Sequence, residues 1–282
     1  MNVLSLFDGM SCGQIALNKV GIKYENYFAS EIKKHAIETT QINYPNTIQL
    51  GDVTKIKASD LPKIDLLIGG SPCQDFSMAN KEKLGLNGLK SGLFYEYLRL
   101  LKELKPKYYL LENVAMDDFS YSTISHLLGT FPIDINSSLV SGQLRQRSYW
   151  TNIGNANFDL FGMRYCNIPQ PKDLKIQFQS ILESGFTDRL KARCILESES
   201  RPLKNKEKLF RRYNELGFIN IVFDNKECKF NENIRILNQT ELEKLQTVPI
   251  GYTKNLSRND AACLLGDGWT VDVIAHIFSF IS

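Results

Sequence analysis

Short apolar runs alternate with amphipathic stretches through the first half of the chain, and this alternation restricts the fold more than any other feature. Runs near residues 2–7, 26–30, 47–50, 65–69, 107–112, 136–140 and 148–153 read as strands, with helices between them. Strands that are apolar along their whole length are buried on both faces, as in a parallel sheet covered by helices. The expected fold class is therefore α/β, with a mostly parallel, Rossmann-like sheet of seven strands. Ser11 and Gln14 read as a capping box opening the first helix, and Gly21 as its end. Residues 91–104 place Leu93, Tyr97, Leu100, Leu101 and Leu104 on one helical face. Thr240 and Glu243 read as a second capping box, with Pro249 beyond that helix, and Val271 to Ile281 as an apolar final helix.

Between about 155 and 232 the periodicity weakens and Pro169, Pro171 and Pro202 interrupt it, so a separate small domain is expected there. The division predicted is 1–159 for the sheet domain, 160–232 for the small domain, and 233–282 for a hinge and a return to the first domain. With 282 residues, 43% apolar and 23% charged, the chain is long enough for one full core and a satellite. The opening apolar run, Val3 to Phe7, lacks a cationic flank and enters a glycine loop, so it reads as neither signal peptide nor membrane span. A cytoplasmic, monomeric protein is expected, without a membrane partner. The six cysteines, at 12, 73, 166, 194, 228 and 263, form no CxxC pair, which argues against a zinc site or a disulfide framework.

Net charge is only +3, but its distribution is uneven. Residues 171–235 carry 14 Lys and Arg against 10 Asp and Glu, and Arg201, Lys204, Lys206, Lys208, Arg211 and Arg212 crowd one short stretch. Such a cluster is either a solvated helix face or a contact for phosphates.

Residues 2–13 combine a strand, a tight glycine turn and a helix start, which lets backbone approach a nucleotide-like ligand closely. Gly9 and Gly13 are separated by three residues, so the dinucleotide fingerprint is absent and a nicotinamide-dependent oxidoreductase is disfavoured. Glu31 and Asp52 fall at the tips of the next two strands. One carboxylate there can accept ribose hydroxyls and the other the adenine amino group. The loop offers no phosphate-binding lysine, which points to a nucleoside cofactor without phosphates. Phe7, Asp8, Gly9, Met10, Cys12, Gly13, Glu31, Ile32, Asp52, Val53, Gly70 and Pro72 are the candidate contacts.

Cys73 follows a buried strand in Gly69-Gly70-Ser71-Pro72-Cys73, on a loop at the carboxyl edge of the sheet. This segment, with Glu112-Asn113-Val114, then Gln143-Leu144-Arg145-Gln146-Arg147, then Gly266-Asp267-Gly268-Trp269, resembles the DNA cytosine-5 methyltransferases in order and spacing. The likeness spans most of the chain outside roughly 160–232. Val3 to Gly9 and Ser257-Arg258 are similar to the animal de novo enzymes of that family, whose regulatory domains this sequence lacks.

The resemblance implies S-adenosylmethionine as cofactor, double-stranded DNA as substrate, a flipped cytosine and a covalent cysteine adduct. It makes Cys73 the nucleophile toward cytosine carbon 6 and Glu112 the protonated partner of ring nitrogen 3. Arg147 would hold the cytosine carbonyl oxygen, with Arg145 supporting the loop and nearby phosphates. It places Trp269 beside the cofactor and makes the small domain a target-recognition domain. Contacts to DNA are expected from Ser77, Gln143, Arg201, Lys204, Lys206, Arg211, Arg212 and Arg235, and a cognate restriction endonuclease as a genetic partner. No metal is implied. A relative acting on cytosine in transfer RNA and an inactive DNA-binding scaffold are the competing readings. The sequence does not reveal which group removes the carbon-5 proton.

Overall fold

In a computed structural model of the chain, residues 1–71, 92–217 and 219–282 are described. Ten strands are present among them: β1 (Asn2–Leu6), β2 (Asn26–Ser30), β3 (Ile48–Gln49), β4 (Leu66–Gly69), β5 (Tyr108–Val114), β6 (Thr130–Phe131), β7 (Ile133–Asn136), β8 (Gln146–Thr151), β9 (Ala156–Phe158) and β10 (Arg164–Cys166). The helices are α1 (Cys12–Lys19), α2 (Lys34–Asn43), α3 (Gly92–Leu104), α4 (Asp118–Leu128), α5 (Lys206–Arg211), α6 (Gln239–Leu245), α7 (Arg258–Asp267) and α8 (Val271–Phe278).

Seven strands form one sheet in the order β3-β2-β1-β4-β5-β8-β7. The pairings β2–β3, β1–β2, β1–β4 and β4–β5 are parallel and β5–β8 is antiparallel, so the expected mostly parallel sheet is present. Its central strands are apolar because both faces are covered: Leu66, Leu67 and Ile68 are fully buried, as are Leu110 and Leu111. The core around them gathers Leu4, Leu6, Leu67, Phe94, Tyr97, Leu100, Leu111, Ile124 and Trp150. Gly69 ends β4 where a Cβ would stand 3.1 Å from both the Leu6 carbonyl oxygen and the Tyr97 ring, so this close strand–helix approach favours glycine.

The chain divides into two compact units. The first comprises residues 1–135, 146–170 and 275–282 and holds the large sheet; the second comprises 136–145 and 171–274. The boundaries differ from those read in the sequence. Residues 160–170 stay with the first unit because β10 pairs with β6 and β9 in a small second sheet. Residues 233–274 stay with the second, where Gln246 receives hydrogen bonds from Gln143 at 2.9 Å and Thr270 at 2.8 Å.

Several local expectations shift. The strand expected at 136–140 lies at Ile133–Asn136, followed by a single turn of 3-10 helix over Ser137–Leu139. No capping box forms at Ser11, whose hydroxyl donates to the Asp8 carboxylate, while its backbone sits at φ 61°. The second box forms between Asn238 and Glu241, not Thr240 and Glu243. Glu243 is buried and instead accepts from the backbone of Gly251 and Thr253. On α3 the most buried side chains are Phe94, Tyr97, Leu98 and Leu100. Arg258–Phe278 is long and apolar enough by composition to cross a membrane, but it is two helices interrupted at residues 268–270 and is mostly buried.

The second unit contains little strand, and its backbone carbonyls are met by side chains instead. Lys191 donates to the carbonyls of Ser138, Ser141 and Ile176, and Arg189 to those of Tyr213 and Ile219. Arg258 takes the carbonyls of Leu237 and Glu199. Buried carbonyls without a ladder need such donors, so much of this unit's positive charge is internal.

Candidate active site and cofactor pocket

The cofactor loop follows β1, which runs straight into residues held by hydrogen bonds within the first unit. Asp8 N donates to the Ser30 carbonyl at 3.0 Å, and Gly9, at φ 60°, donates to Glu31 Oε2 at 2.8 Å. Glu31 Oε1 accepts from the amides of Ile32 at 2.7 Å and Lys33 at 2.8 Å. The carboxylate is thereby locked at the tip of β2, and each oxygen retains capacity for a further donor such as a ribose hydroxyl. Asp52 caps a short turn through Thr54 N at 3.0 Å and Thr54 Oγ1 at 2.9 Å, both on Oδ1. These hydrogen bonds hold its carboxyl below the usual carboxylate range. A Cβ built on Gly9 or Gly51 meets nothing within 4 Å, so the backbone is open beside both acids. Two acceptor-only groups suit the hydroxyl and amino donors of a nucleoside and would repel a phosphate. The residues present therefore fit adenosine, the part of S-adenosylmethionine they would hold.

The loop's side chains divide into lining and scaffold. Ile32 is 75% exposed and Gly70 lies at the sheet edge, whereas Met10, Cys12 and Val53 turn their side chains into the core. Any contact those three make with a ligand is through backbone. Phe7, at φ 57°, packs against the sheet core, and a Cβ on Gly13 would overlap Ile68 and the Tyr27 hydroxyl. Asp8 is likewise scaffold: its carboxylate accepts from Ser11 and, at 2.8 Å, from the Tyr27 hydroxyl. Burial pushes the Asp8 carboxyl up to about 6, against the lowering effect of these hydrogen bonds. An acid whose folded pKa exceeds its unfolded value, about 3.9, stabilises the fold fully below that value and loses this contribution as pH rises through about 6. The protein is therefore expected to lose thermal stability between pH 5 and pH 7.5, and Asp8→Asn to lose less over the same interval. Thermal melting at the two pH values checks this; equal losses in both proteins would remove Asp8 as the cause.

The catalytic candidates on the sheet meet at its carboxyl edge. Glu112 lies near the end of β5 and Arg147 near the start of β8, where Val114 is opposite Arg147 in the antiparallel register. Arg147 Nε stands 3.0 Å from Glu112 Oε1, with the two side chains only 13% and 11% exposed. Asn113, which sequence reasoning noted only within its motif, is buried and donates through Nδ2 to Ser71 Oγ at 3.1 Å. Its Oδ1 accepts from Val114 N at 2.8 Å. Asn113 thus fastens the end of β5 to the start of the segment that carries Cys73, two residues beyond Ser71. Cys73, Pro72 and Ser77 lie outside the described residues. The signal that could have flagged Asn113 is a buried amide in an otherwise apolar strand, which must find partners.

Arg145 and Gln143 belong to the second unit and have different work there. Arg145 is 4% exposed and donates to the carbonyls of Ile195 at 3.1 Å, Gly266 at 3.2 Å and Gly268 at 2.8 Å. Gln143 is fully buried, donating to Leu245 O and Gln246 Oε1 and accepting from Ile195 N. Phosphate support by Arg145 and DNA contact by Gln143 therefore give way to an internal role: both tie segment 143–145 to its surroundings. Arg235 is occupied as well, held by Glu241 through two nitrogens at 2.7 and 2.8 Å and by the Ser184 carbonyl. Lys206 donates to the Ile234 carbonyl, Arg201 pairs with Glu197 at 2.7 Å, and Arg211 with Glu215 at 3.6 Å. The last two pairs are solvent-exposed and weak, so Arg201 and Arg211 stay available to phosphates along with exposed Lys204 and Arg212. Trp269 is half-buried in the turn between α7 and α8. Among the described residues no cluster of metal-ligating side chains occurs.

A seven-stranded, mostly parallel sheet with acids at the tips of β2 and β3 and a Glu–Arg pair at the end of β5 is the architecture of an α/β methyltransferase. Solved structures agree: a methyltransferase of Entamoeba histolytica, EhMeth, superposes with a TM-score of 0.73 over 99% of this chain and 97% of its own. Sequence identity there is 16%, so that likeness concerns the fold. Within the class, residues 1–117 match the family described as C-5 cytosine-specific DNA methylase. The type II methyltransferase M1.ScrFI of Lactococcus lactis subsp. cremoris is 33% identical over 201 residues, covering 66% of this chain and 50% of that protein. The orphan methyltransferase M.Rho11sI of Bacillus phage rho11s is 42% identical over 116 residues, covering 40% of this chain and 23% of that protein. The chain thus spans half or less of the length of these two relatives.

Proposed function

We propose that the chain transfers a methyl group to carbon 5 of a flipped-out cytosine in double-stranded DNA, with S-adenosylmethionine as donor. The observation that carries this reading is the nearly buried Glu112–Arg147 pair at the carboxyl edge of the sheet, beside the Asn113–Ser71 link to the segment bearing Cys73. Bound S-adenosylmethionine supplies an electrophilic methyl carbon. Glu31 holds the ribose hydroxyls, and Asp52 the adenine amino group.

Cytosine carbon 5 is a poor nucleophile until a thiolate adds to carbon 6. Cys73 forms that carbon–sulfur bond, Glu112 gives its proton to ring nitrogen 3, and the ring becomes an enamine that can take the methyl group. Arg147 stabilises the carbonyl oxygen as charge develops on it, in a setting where water is largely excluded. A base then takes the carbon-5 proton, the carbon–sulfur bond breaks so that Cys73 leaves as its thiolate, and the proton on ring nitrogen 3 returns to Glu112. The second unit acts as the target-recognition domain, and the type II name of a relative makes a cognate endonuclease the natural genetic partner.

The test is incubation with labelled S-adenosylmethionine and, separately, duplex DNA and transfer RNA, followed by bisulfite sequencing of the methylated product. Label in duplex DNA at cytosines of one sequence context is the expected result. Label confined to transfer RNA, or none, would overturn the reading.

A further inference from the structure

Among the arginines of the second unit, Arg193 combines a side chain that no hydrogen bond or ion pair holds among the described residues with a firmly fixed backbone. Ala192 N donates to the Gly142 carbonyl at 2.7 Å, and its own carbonyl accepts from Leu144 N at 2.8 Å. Asn220, fully buried, clamps the next residue, accepting from Arg193 N at 2.8 Å and donating to Arg193 O at 3.0 Å. Ile195 is held in turn by Gln143 and Arg145. Segment 192–195 is therefore pinned on both sides by buried groups, while the Arg193 and Leu196 side chains remain exposed.

With Leu144, Cys194, Leu216 and Gly217 these two residues line an open cleft of about 360 Å³. Leu144, Leu196 and Leu216 are 38%, 44% and 54% exposed, an unusual concentration of apolar surface around one cation. Arg145, Arg189, Arg235 and Arg258 all donate to carbonyls of this unit. Among the described residues no hydrogen bond or ion pair holds the Arg193 guanidinium. A terminal nitrogen of Arg193 stands 3.9 Å from where a side chain at Gly217 would begin, so the glycine leaves that side of the cleft clear.

We propose that this cleft is the base-reading surface of the second unit, with Arg193 as the specificity-determining residue that donates its guanidinium fork to a guanine edge in the DNA major groove. The inference rests on the DNA methyltransferase reading above. An arginine fork matches the two acceptors, N7 and O6, that guanine presents there, and leucine side chains match thymine methyl groups. The excess of 14 cations over 10 acids in residues 171–235 draws a polyanion to this unit. A pinned backbone beneath exposed side chains provides the register that base reading requires. Exposed Lys204 carries no such frame and serves as a phosphate contact.

The experiment methylates a duplex library with randomised flanks around cytosine, using the full chain as wild type, Arg193→Ala, Arg193→Lys and Lys204→Ala, and reads products by bisulfite sequencing. Arg193→Ala is expected to lower the preference for guanine at one flanking position by about 10- to 100-fold, with an unchanged melting temperature. Arg193→Lys restores only part of it, because an ammonium cannot make the paired contact. Lys204→Ala lowers methylation of all sequences by a common factor and flattens the salt dependence. A wild-type base profile in Arg193→Ala, or a uniform loss like that of Lys204→Ala, overturns the assignment while leaving the function reading intact. A wild-type protein that methylates no duplex DNA overturns that reading itself, and the assignment with it.

Discussion

Replacing Cys73 with alanine is expected to abolish methyl transfer, by at least about 10⁴-fold, while binding of S-adenosylmethionine persists. The expectation follows from chemistry: alanine offers no atom that can add to carbon 6, and without that addition carbon 5 has too little electron density to be methylated. A residue that forms the covalent intermediate lowers kcat and kcat/KM together when it is removed. The cofactor should be unaffected because Glu31 and Asp52 are fixed by their own neighbours in the loops after β2 and β3. Labelled-methyl assays and calorimetric titration of the cofactor measure the two effects separately. The wild-type protein should also form a stable adduct with duplex DNA containing 5-fluorocytosine, visible as a shifted band in denaturing gels, since fluorine cannot leave as a proton does. Substantial transfer by Cys73→Ala would remove the thiol from the mechanism.

Glu112→Gln is expected to lower kcat by about 10³-fold with little change in KM for DNA. Glutamine preserves the size of the side chain and can still bond to Arg147, but it has no acidic proton to give to ring nitrogen 3. The fold should survive with a modestly lowered melting temperature, because the nearly buried Arg147 cation loses its counter-charge but keeps a hydrogen-bond acceptor in glutamine, and no cavity opens. Arg147→Ala is the harsher change: it leaves Glu112 as a nearly buried carboxylate without its cation, so it should lower the melting temperature as well as activity. Stopped assays at saturating cofactor, with melting curves for each variant, distinguish these outcomes. A Glu112→Gln protein with wild-type kcat would show that protonation of the ring does not depend on this group.

The sheet was legible because burial on both faces leaves a plain mark: Leu66 to Ile68 and Leu110 to Leu111 are apolar without alternation, and Val3 to Leu6 is broken only by the buried Ser5. The acids Glu31 and Asp52 were legible for a related reason, since polar residues at the ends of such runs stand at the carboxyl edge. Side-chain destinations were harder. Ser11 has the spacing of a cap, yet the nearby Asp8 carboxylate competes for its hydroxyl and wins. Asn238 outcompetes Thr240 as a cap because Glu241 answers it reciprocally. The largest departure concerns Gln143, Arg145 and Arg235. The resemblance implied DNA contact for Gln143 and Arg235 and support of the loop and phosphates for Arg145, whereas a unit with few ladders consumes such donors on its own carbonyls and carboxylates. Periodicity carries no trace of this, because Leu245 and Gly268, whose carbonyls Gln143 and Arg145 meet, lie about a hundred residues away in the chain and Arg235 meets Glu241 across the turn into α6.

The side-chain fastening of the second unit has a consequence for how such a protein can diversify. A module framed by strand ladders must keep its alternation of inward and outward residues, so a single insertion re-registers a whole surface. Here Arg145, Arg189, Lys191 and Arg258 act as separate rivets, each gripping particular carbonyls. Loops between rivets can lengthen, shorten or exchange residues without disturbing the next attachment, so the surface of this unit can change locally while its frame stays the same.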